Sequence, residues 1–334
     1  MNAPLPHDVL LENSATGQAR KLIVRAIRMQ AEGIHAFELV HPDGDELPPV
    51  QAGAHVDVHL PGGVIRSYSL AGNPQDRSRW TLGVLREPNG RGGSQAMHES
   101  VRVGAPLTVG WPRNVFALAD SARHTVLLAG GIGITPLKAM AHVLASRGDS
   151  FELHYCTKTV KHAAFLSELI AIVPAGHFHL HHDGGDASKS FDIAGLLANP
   201  EADTHVYFCG PTGFMAACEK ATQHWSEGTV HSEHFKAPDR PASADVPAGS
   251  FEVKLARSGG SVLVAPDQTI VRALELGGHK IPTSCLSGLC GTCKVDYLEG
   301  EVDHQDYILS DEEKKYCITV CVSRAKGSFL VLDI

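Results

Sequence analysis

No stretch of the chain approaches the ~20 consecutive apolar residues that a membrane-spanning helix requires. The opening residues, MNAPLPHDVLLENSATGQARK, lack the basic start and apolar run of a secretory leader. The expected compartment is therefore the cytoplasm. Basic residues are also in short supply, with 29 Lys and Arg against 37 Asp and Glu and a formal charge of −8, which argues against a nucleic-acid partner and its dense phosphates. There is no internal repeat. In a reducing cytoplasm disulfides are rare, so clustered cysteines read as ligands. Of the eight cysteines, Cys156, Cys209 and Cys218 are scattered, whereas Cys285, Cys290, Cys293, Cys317 and Cys321 crowd one short carboxy-terminal stretch.

A length of 334 residues predicts two or three domains of roughly 100 residues each, and 33 glycines mark turns and ligand sites. Short alternating strands run from Lys21 to Val40 around a turn at Ala31 to Gly33, then through HVDVHL, IRSYSL, WTLGVL and APLTVG, with a helix at SQAMHESV. This predicts a small antiparallel barrel ending near Leu118. The rhythm changes at His124, where TVLLA has the continuous apolar character of a strand buried on both faces. Alternating helices and strands follow as far as HVYFCG and FMAACEKATQHW, predicting a parallel, doubly wound sheet. KAPDRPASADVPAG reads as a linker over 236–249. A mixed α+β unit over 250–334 completes a multidomain chain, with the barrel assigned to 1–120 and the α/β domain to 121–235.

Cys285, Cys290 and Cys293 follow the spacing Cx4Cx2C, with Gly288 and Gly291 between them and a further cysteine after a gap. That is the plant-type ferredoxin arrangement, in which four thiolates hold two irons. Glycines let a tight loop turn backbone N–H groups toward the sulfurs. Structural zinc, the alternative, presents two short knuckles, and here only the first half fits. The fourth ligand is open on the residues alone: Cys317 and Cys321 lie four apart on an expected strand and so face the same side.

In RSYSL, Arg66 can pair with a phosphate, Tyr68 can pack on an aromatic ring, and the hydroxyl of Ser67 or Ser69 can bond a ring heteroatom. VLREPNGRGGS, from Val84 to Ser94, brings a glycine-rich turn to the start of a helix, which makes an anion site. A second anion site is expected at Gly130, Gly131, Ile132, Gly133, Ile134, Thr135 and Pro136, between a buried strand and a helix. Cys209, Gly210 and Pro211 end another strand, and a parallel sheet would bring the two loops together at its carboxy-terminal edge. No Asp or Glu ends FELHYC, and Lys158 and Lys161 leave the choice between NADH and NADPH open. The histidine-rich HFHLHHD reads as partly buried or surface histidines, because no second ligand group accompanies it in the sequence.

From about Leu22 onward the chain resembles the family of phthalate dioxygenase reductase and vanillate demethylase reductase. TSCLSGLCGTCKVDYLEGEVDHQDYILSDEEK carries the likeness most strongly, together with RSYSL, GGIGITP, CGP and the closing CVSRA. The resemblance implies a flavin barrel, a nicotinamide domain and a β-grasp ferredoxin domain, in that order. It implies Cys321 as the fourth ligand, with Cys317 a buried thiol. It implies FMN lined by Arg66, Ser67, Val84, Leu85, Arg86, Arg91, Gly92, Gly93 and Ser94, with Thr135 and Phe235 contributing. Ser69 and Cys209 are the candidate catalytic residues at the flavin and the nicotinamide.

The activity so implied is electron transfer from NADH through FMN to the chain's own [2Fe–2S] cluster, and from there to a Rieske-type oxygenase in aromatic catabolism. The family implies a monomer. A separate ferredoxin or a haem oxygenase as acceptor would keep every motif, and a non-enzymatic redox-sensing or zinc-binding module is the rival of another class. Between Val295 and Glu313 stand Asp296, Glu299, Glu301, Asp303, Asp306, Asp311, Glu312 and Glu313, with no Lys or Arg among them. Such a run reads as a solvated face, with an oxygenase docking surface as the sharper alternative.

Overall fold

The computed structural model describes residues 19–120, 122–236 and 249–334. The expected linker lies outside the described residues except at its ends, as does the amino-terminal stretch to residue 18. The chain divides into two compact units, one up to Ser232 and the other from Glu233.

The first unit begins with six strands: β1 (Arg20–Ala31), β2 (Ile34–Val40), β3 (His55–Leu60), β4 (Val64–Ser69), β5 (Trp80–Leu85) and, after helix α1 (Gly93–Ser100), β6 (Pro106–Val109). Gly33, at φ 72°, turns β1 into β2, a backbone state that a side chain would disfavour. The strand order is β4-β3-β6-β1-β2-β5, and a bridge between Leu70 and Leu82 joins the ends, so the sheet closes. Leu22, Val24, Phe37, Leu39, Val56, Val58 and Leu82 fill its interior, and Met97 of α1 adds to the same core.

The same unit continues with β7 (His124–Gly130), α2 (Ile134–Arg147), β8 (Phe151–Thr157), α3 (Leu166–Ile172), β9 (Phe178–His182), α4 (Ile193–Leu197), β10 (Thr204–Cys209), α5 (Thr212–Ala221) and β11 (Val230–Glu233). The order β11-β10-β7-β8-β9, parallel from β10 through β9, is the expected doubly wound sheet. Helix α2 stops where expected: Gly148 takes the left-handed conformation, and the amides of Gly148 and Asp149 satisfy the carbonyls of Ala145 and Leu144.

Barrel and sheet share a core, in which Ile34, Ala52, Ala71 and Phe116 pack with Leu127, Leu137, Tyr155 and Phe165. Lys138 of α2 is buried in this junction, its ammonium donating to the Ala71 carbonyl at 2.9 Å and pairing with Glu168 at 2.8 Å. A buried ammonium needs both partners, because desolvation would otherwise drive off its charge.

In the second unit, β12 (Phe251–Leu255), β13 (Ser261–Val264), α6 (Ile270–Leu276), β14 (Lys294–Glu299), β15 (Val302–Asp303), β16 (Cys317–Thr319), β17 (Arg324–Ala325) and β18 (Phe329–Leu332) form a mixed sheet, β13-β12-β18-β14-β16, and a β15-β17 ribbon. Ile270, Ala273 and Leu274 of α6 pack on Val253, Ile318, Leu330 and Leu332, the helix-on-sheet core of a β-grasp. Thr269 caps α6 by accepting from the Arg272 amide. The acidic segment SDEEKK forms only a single 3-10 turn at Glu313–Lys315. Among the described residues no helix is long and apolar enough to cross a membrane.

Candidate functional site

The cysteine loop departs from the sequence expectation in one respect. Cys317 and Cys321 do not share a strand, because β16 ends at Thr319, where the amides of Val322 and Ser323 fold back to the Thr319 carbonyl. The turn separates the two thiols. Cys317 Sγ donates to Asp296 Oδ1 at 3.1 Å, across the antiparallel pairing of β14 and β16. Cys321 joins the loop: its thiol is hydrogen-bonded to Cys293 and feels the charge of Cys290, while Cys290 is hydrogen-bonded to Cys285. Four thiols, Cys285, Cys290, Cys293 and Cys321, therefore converge.

Backbone donors surround them. The Leu289 amide reaches Cys285 Sγ at 3.4 Å, the Gly288 amide reaches Cys321, and the Thr292 hydroxyl lies 3.1 Å from Cys290 Sγ. The hydrogen bond from Cys285 lowers the Cys290 thiol to about 5 and raises Cys285 in return. Gly288, at φ 70°, has no room for a side chain, since a methyl group there would fall 2.8 Å from Val322 Cγ2 and 3.0 Å from Asp306 Cα. Four inward thiols ringed by donors fit an anionic iron–sulfur cluster.

In the barrel, Arg66 projects from β4 toward the start of α1. Its guanidinium donates to the carbonyls of Arg91 and Ile65, each at 2.7 Å. Gly93 must be glycine, because a methyl group would stand 2.4 Å from Arg66 Cγ. Gly92, in the left-handed conformation, leads into α1, whose first turn has no side-chain cap. Burial, followed by the charge of Arg91, lowers the Arg66 pKa. Two guanidinium groups beside an uncapped helix start fit a phosphate. Burial also pushes the neighbouring Tyr68 phenol up to about 12.

Other residues expected at the flavin have local tasks. Ser94 Oγ accepts from the Glu87 amide, Arg86 pairs with Glu99 of α1 at 2.6 Å, and Val84 is buried with its carbonyl 2.9 Å from His98 Nε2. Leu85 is partly buried at the end of β5. Phe235 is 41% exposed and belongs to the second unit.

Ser67 and Ser69 face away from Arg66 and Tyr68, as strand alternation requires. Ser67 donates to Asp57 Oδ1, and Arg113 holds the other oxygen, both at 2.7 Å. Ser69 is buried opposite His55 in the β3–β4 pairing. His55, Asp57 and Arg113 were missed in the sequence. The signal was HVDVHL, whose His and Asp alternate like a solvent-facing edge, yet His55 is 4% and Asp57 6% exposed. Burial, then Arg113, lowers His55 to about 4.

The two glycine-rich elements of the α/β sheet meet at its carboxy-terminal edge. Ala129 lies beside Cys209 in the register of β7 and β10. A methyl group on Gly133 would fall 2.1 Å from the Cys209 carbonyl oxygen, and one on Gly130 would fall 2.9 Å from Pro211 Cδ. Gly210 is equally confined, with Gly130 Cα 3.0 Å from its missing Cβ. Gly131 and Ile132 form a 3-10 turn into α2, and Thr135 Oγ1 donates to the Ile132 carbonyl at 3.0 Å. Pro136 occupies the first turn of α2, which has no side-chain cap. Bare backbone at a helix start fits a pyrophosphate.

A close approach joins this loop to the barrel. Gly83 of β5 lies so close to α2 that a methyl group there would stand 2.6 Å from Thr135 Cγ2 and 3.0 Å from the Phe165 ring. The strand leading into VLREPNGRGGS thus abuts the first turn of α2.

The acidic run is less free than its sequence suggests. Glu313 pairs with Lys294 at 3.1 Å, Asp311 with Lys314 at 3.1 Å, and Glu312 with Lys315, all three lysines lying just outside the run. Asp306 is buried and accepts from the amides of Ile308 and Leu309.

A closed barrel packed on a doubly wound sheet, with a β-grasp unit whose loop gathers four thiols, defines a flavin- and nicotinamide-dependent iron–sulfur reductase. The comparisons with known proteins agree. Residues 253–326 match the 2Fe-2S iron-sulfur cluster binding domain. The chain is 48% identical over 324 residues to the tert-butanol monooxygenase / tert-amyl alcohol desaturase reductase subunit of Aquincola tertiaricarbonis, covering 95% of this chain and 96% of that one. It is 40% identical to the solved structure of phthalate dioxygenase reductase, described as modular for electron transfer from pyridine nucleotides to [2Fe–2S], with a TM-score of 0.71 and coverage of 95% and 98%. An intact type IV self-sufficient cytochrome P450 monooxygenase aligns with a TM-score of 0.86 at 37% identity, and 95% of this chain spans 41% of that chain's length. The chain belongs to the oxygenase reductase family that includes phthalate dioxygenase reductase and vanillate O-demethylase oxidoreductase.

Proposed function

We propose that this chain supplies electrons to a Rieske-type oxygenase, drawing them from NADH through FMN and its own [2Fe–2S] cluster, as a cytoplasmic monomer without membrane or nucleic-acid partners. When bound, the flavin accepts an electron pair and releases single electrons, and the cluster carries one at a time. Three domains divide this work: 1–120 for the flavin, 121–235 for the nicotinamide and 250–334 for the cluster.

The residues act as follows. Arg66, Arg91, Gly92, Gly93 and Ser94 form the phosphate cradle of the flavin, while Tyr68, Ser69, Val84, Leu85 and Arg86 line its ring and flank. Ser67 steadies Asp57. Gly130, Gly131, Ile132, Gly133, Thr135 and Pro136 receive the pyrophosphate of the dinucleotide, and Cys209, Gly210 and Pro211 border its nicotinamide. Phe235 is assigned to the flavin on the family resemblance alone. Cys285, Cys290, Cys293 and Cys321 hold the cluster.

The observation that carries this reading is the approach of Gly83 to Thr135, which sets the flavin-side strand directly against the nicotinamide loop. Hydride transfer needs donor and acceptor rings in near contact. The relatives are named for tert-butanol and phthalate alike, in keeping with an oxygenase substrate that is chosen elsewhere.

The test is acceptor specificity. Purified protein with its cofactors is assayed with NADH or NADPH against a small dye, a Rieske oxygenase and a haem oxygenase. Faster turnover with NADH and coupled substrate oxidation by the Rieske oxygenase support the proposal. Coupling only to the haem enzyme would replace the acceptor, and absence of NADH-dependent dye reduction would overturn the reading altogether.

A further inference from the structure

The histidines of β9 lack a ligand partner in the sequence, but the fold supplies one from the neighbouring strand. In the register of β8 and β9, His154 stands opposite His179, and Glu152 lies two residues earlier on the same face as His154. Glu152 Oε2 is 3.3 Å from His154 Nε2 and 3.7 Å from His179 Nε2. One ligand atom from each of the three lies within 4.8 Å of the others. The expectation that no second ligand group accompanies HFHLHHD is thereby corrected.

We propose that Glu152, His154 and His179 bind one divalent cation of the zinc class at the amino-terminal edge of the parallel sheet. Two imidazoles and a carboxylate are the donors zinc takes, with water completing a tetrahedron.

Independent observations point to a ligand here. His154 is 6% exposed, and its buried Nε2 makes no hydrogen bond of regular geometry among the described residues, although Glu152 Oε2 lies 3.3 Å away. Its other nitrogen is engaged, since Nδ1 lies 3.0 Å from His181 Nε2. If Nδ1 carries the proton and donates it, Nε2 presents a lone pair to the three-residue site. This is how a supporting hydrogen bond fixes the tautomer of a metal-binding histidine. Phe191 stacks on the supporting ring, 3.7 Å from the His181 centroid.

The carboxylate is supported likewise. His124 of β7 lies 3.8 Å from Glu152 Oε1, and its Nδ1 is 2.8 Å from Ser150 Oγ.

The site belongs to the opposite edge of the sheet from Gly130 and Cys209. Its ligands come from two adjacent strands, and β9 is the outermost strand of the sheet. A bound cation would fasten that strand to β8 and raise stability by mass action.

The test uses cofactor-loaded protein with its iron content verified, because cluster cysteines stripped of iron would also take zinc. Zinc chloride is added, excess is removed by gel filtration, and retained zinc is measured by elemental analysis and by competition with a chromogenic chelator. The expected result is one zinc per chain, an upward shift in Tm with zinc, and affinity lowered roughly tenfold or more in His179→Ala and Glu152→Gln. NADH-dependent dye reduction should be unchanged in both. His179 is partly exposed, so His179→Ala decides the matter if Glu152→Gln fails to fold. No zinc retained by the wild type, or equal affinity in His179→Ala, would overturn the proposal.

Discussion

The thiol of Cys317 donates to the carboxylate of Asp296 at 3.1 Å, and this one bond distinguishes it from the four thiols of the cluster loop. Burial first, then Asp296, raises Cys317 to about 11, so it stays protonated at neutral pH. What sets it apart is its partner, a carboxylate on β14 in place of another thiol of the loop. Cys317→Ser should keep full iron content and lose at most about 1 kcal/mol of stability. Cys321→Ser should lose most of the iron. Iron and sulfide analysis of the two variants checks both outcomes, and iron loss in Cys317→Ser with retention in Cys321→Ser would reverse the assignment.

Gly133 is held against the backbone of Cys209 and Gly210, whose atoms a side chain could not push aside cheaply. Gly133→Ala should cost roughly 1–3 kcal/mol in overpacking and raise the KM for NADH. Gly213, early in α5, has nothing within 4 Å of its missing Cβ. Gly213→Ala should therefore be neutral or stabilising by about 0.5–1 kcal/mol. Thermal melts and steady-state kinetics of the pair test whether close approach, rather than glycine as such, matters at this edge.

Arg66 is the centre of the phosphate cradle proposed for the flavin. A hydrogen bond to a charged group contributes about 1.5–3 kcal/mol, so Arg66→Ala should weaken FMN retention roughly ten- to hundredfold. Fluorescence of FMN released on dilution measures it. Arg86→Ala should have a smaller effect, because Arg86 is engaged with Glu99.

Burial sets the acid stability. His55, His142, His181 and His231 are each lowered from 6.5 to about 4, with burial the largest cause in every case. Between these values the unfolded chain binds more protons than the folded one, so stability rises with pH across the window. Calorimetry should find Tm falling as pH drops from about 6.5 toward 4. A Tm that stays flat until the carboxylate range would contradict it.

The fold was legible where pattern and chemistry coincide. Alternation in β1 and β2, the unbroken apolar run of β7 and Gly148 at the end of α2 all read directly, because each rests on local geometry. What could not be read depends on side chains from different strands. His55 and Asp57 alternate as an exposed edge would, yet Ser67 and Arg113 enclose Asp57. The burial of Lys138 depends on Ala71 and Glu168, which only the fold brings to it. The acidic run from Val295 to Glu313 looks uncompensated because its lysines lie just beyond its ends. The turn after Thr319, which separates Cys317 from Cys321, has no signature in periodicity, so on the residues alone the fourth ligand could not be chosen.

The central claim, an internal path from NADH to the cluster, is tested most directly by adding NADH to the oxygen-free, cofactor-loaded protein and recording its low-temperature EPR spectrum. The account predicts the rhombic signal of a reduced [2Fe–2S] cluster, lost in Cys321→Ser. Bleaching of the flavin with no iron signal, in protein of verified iron content, would contradict it.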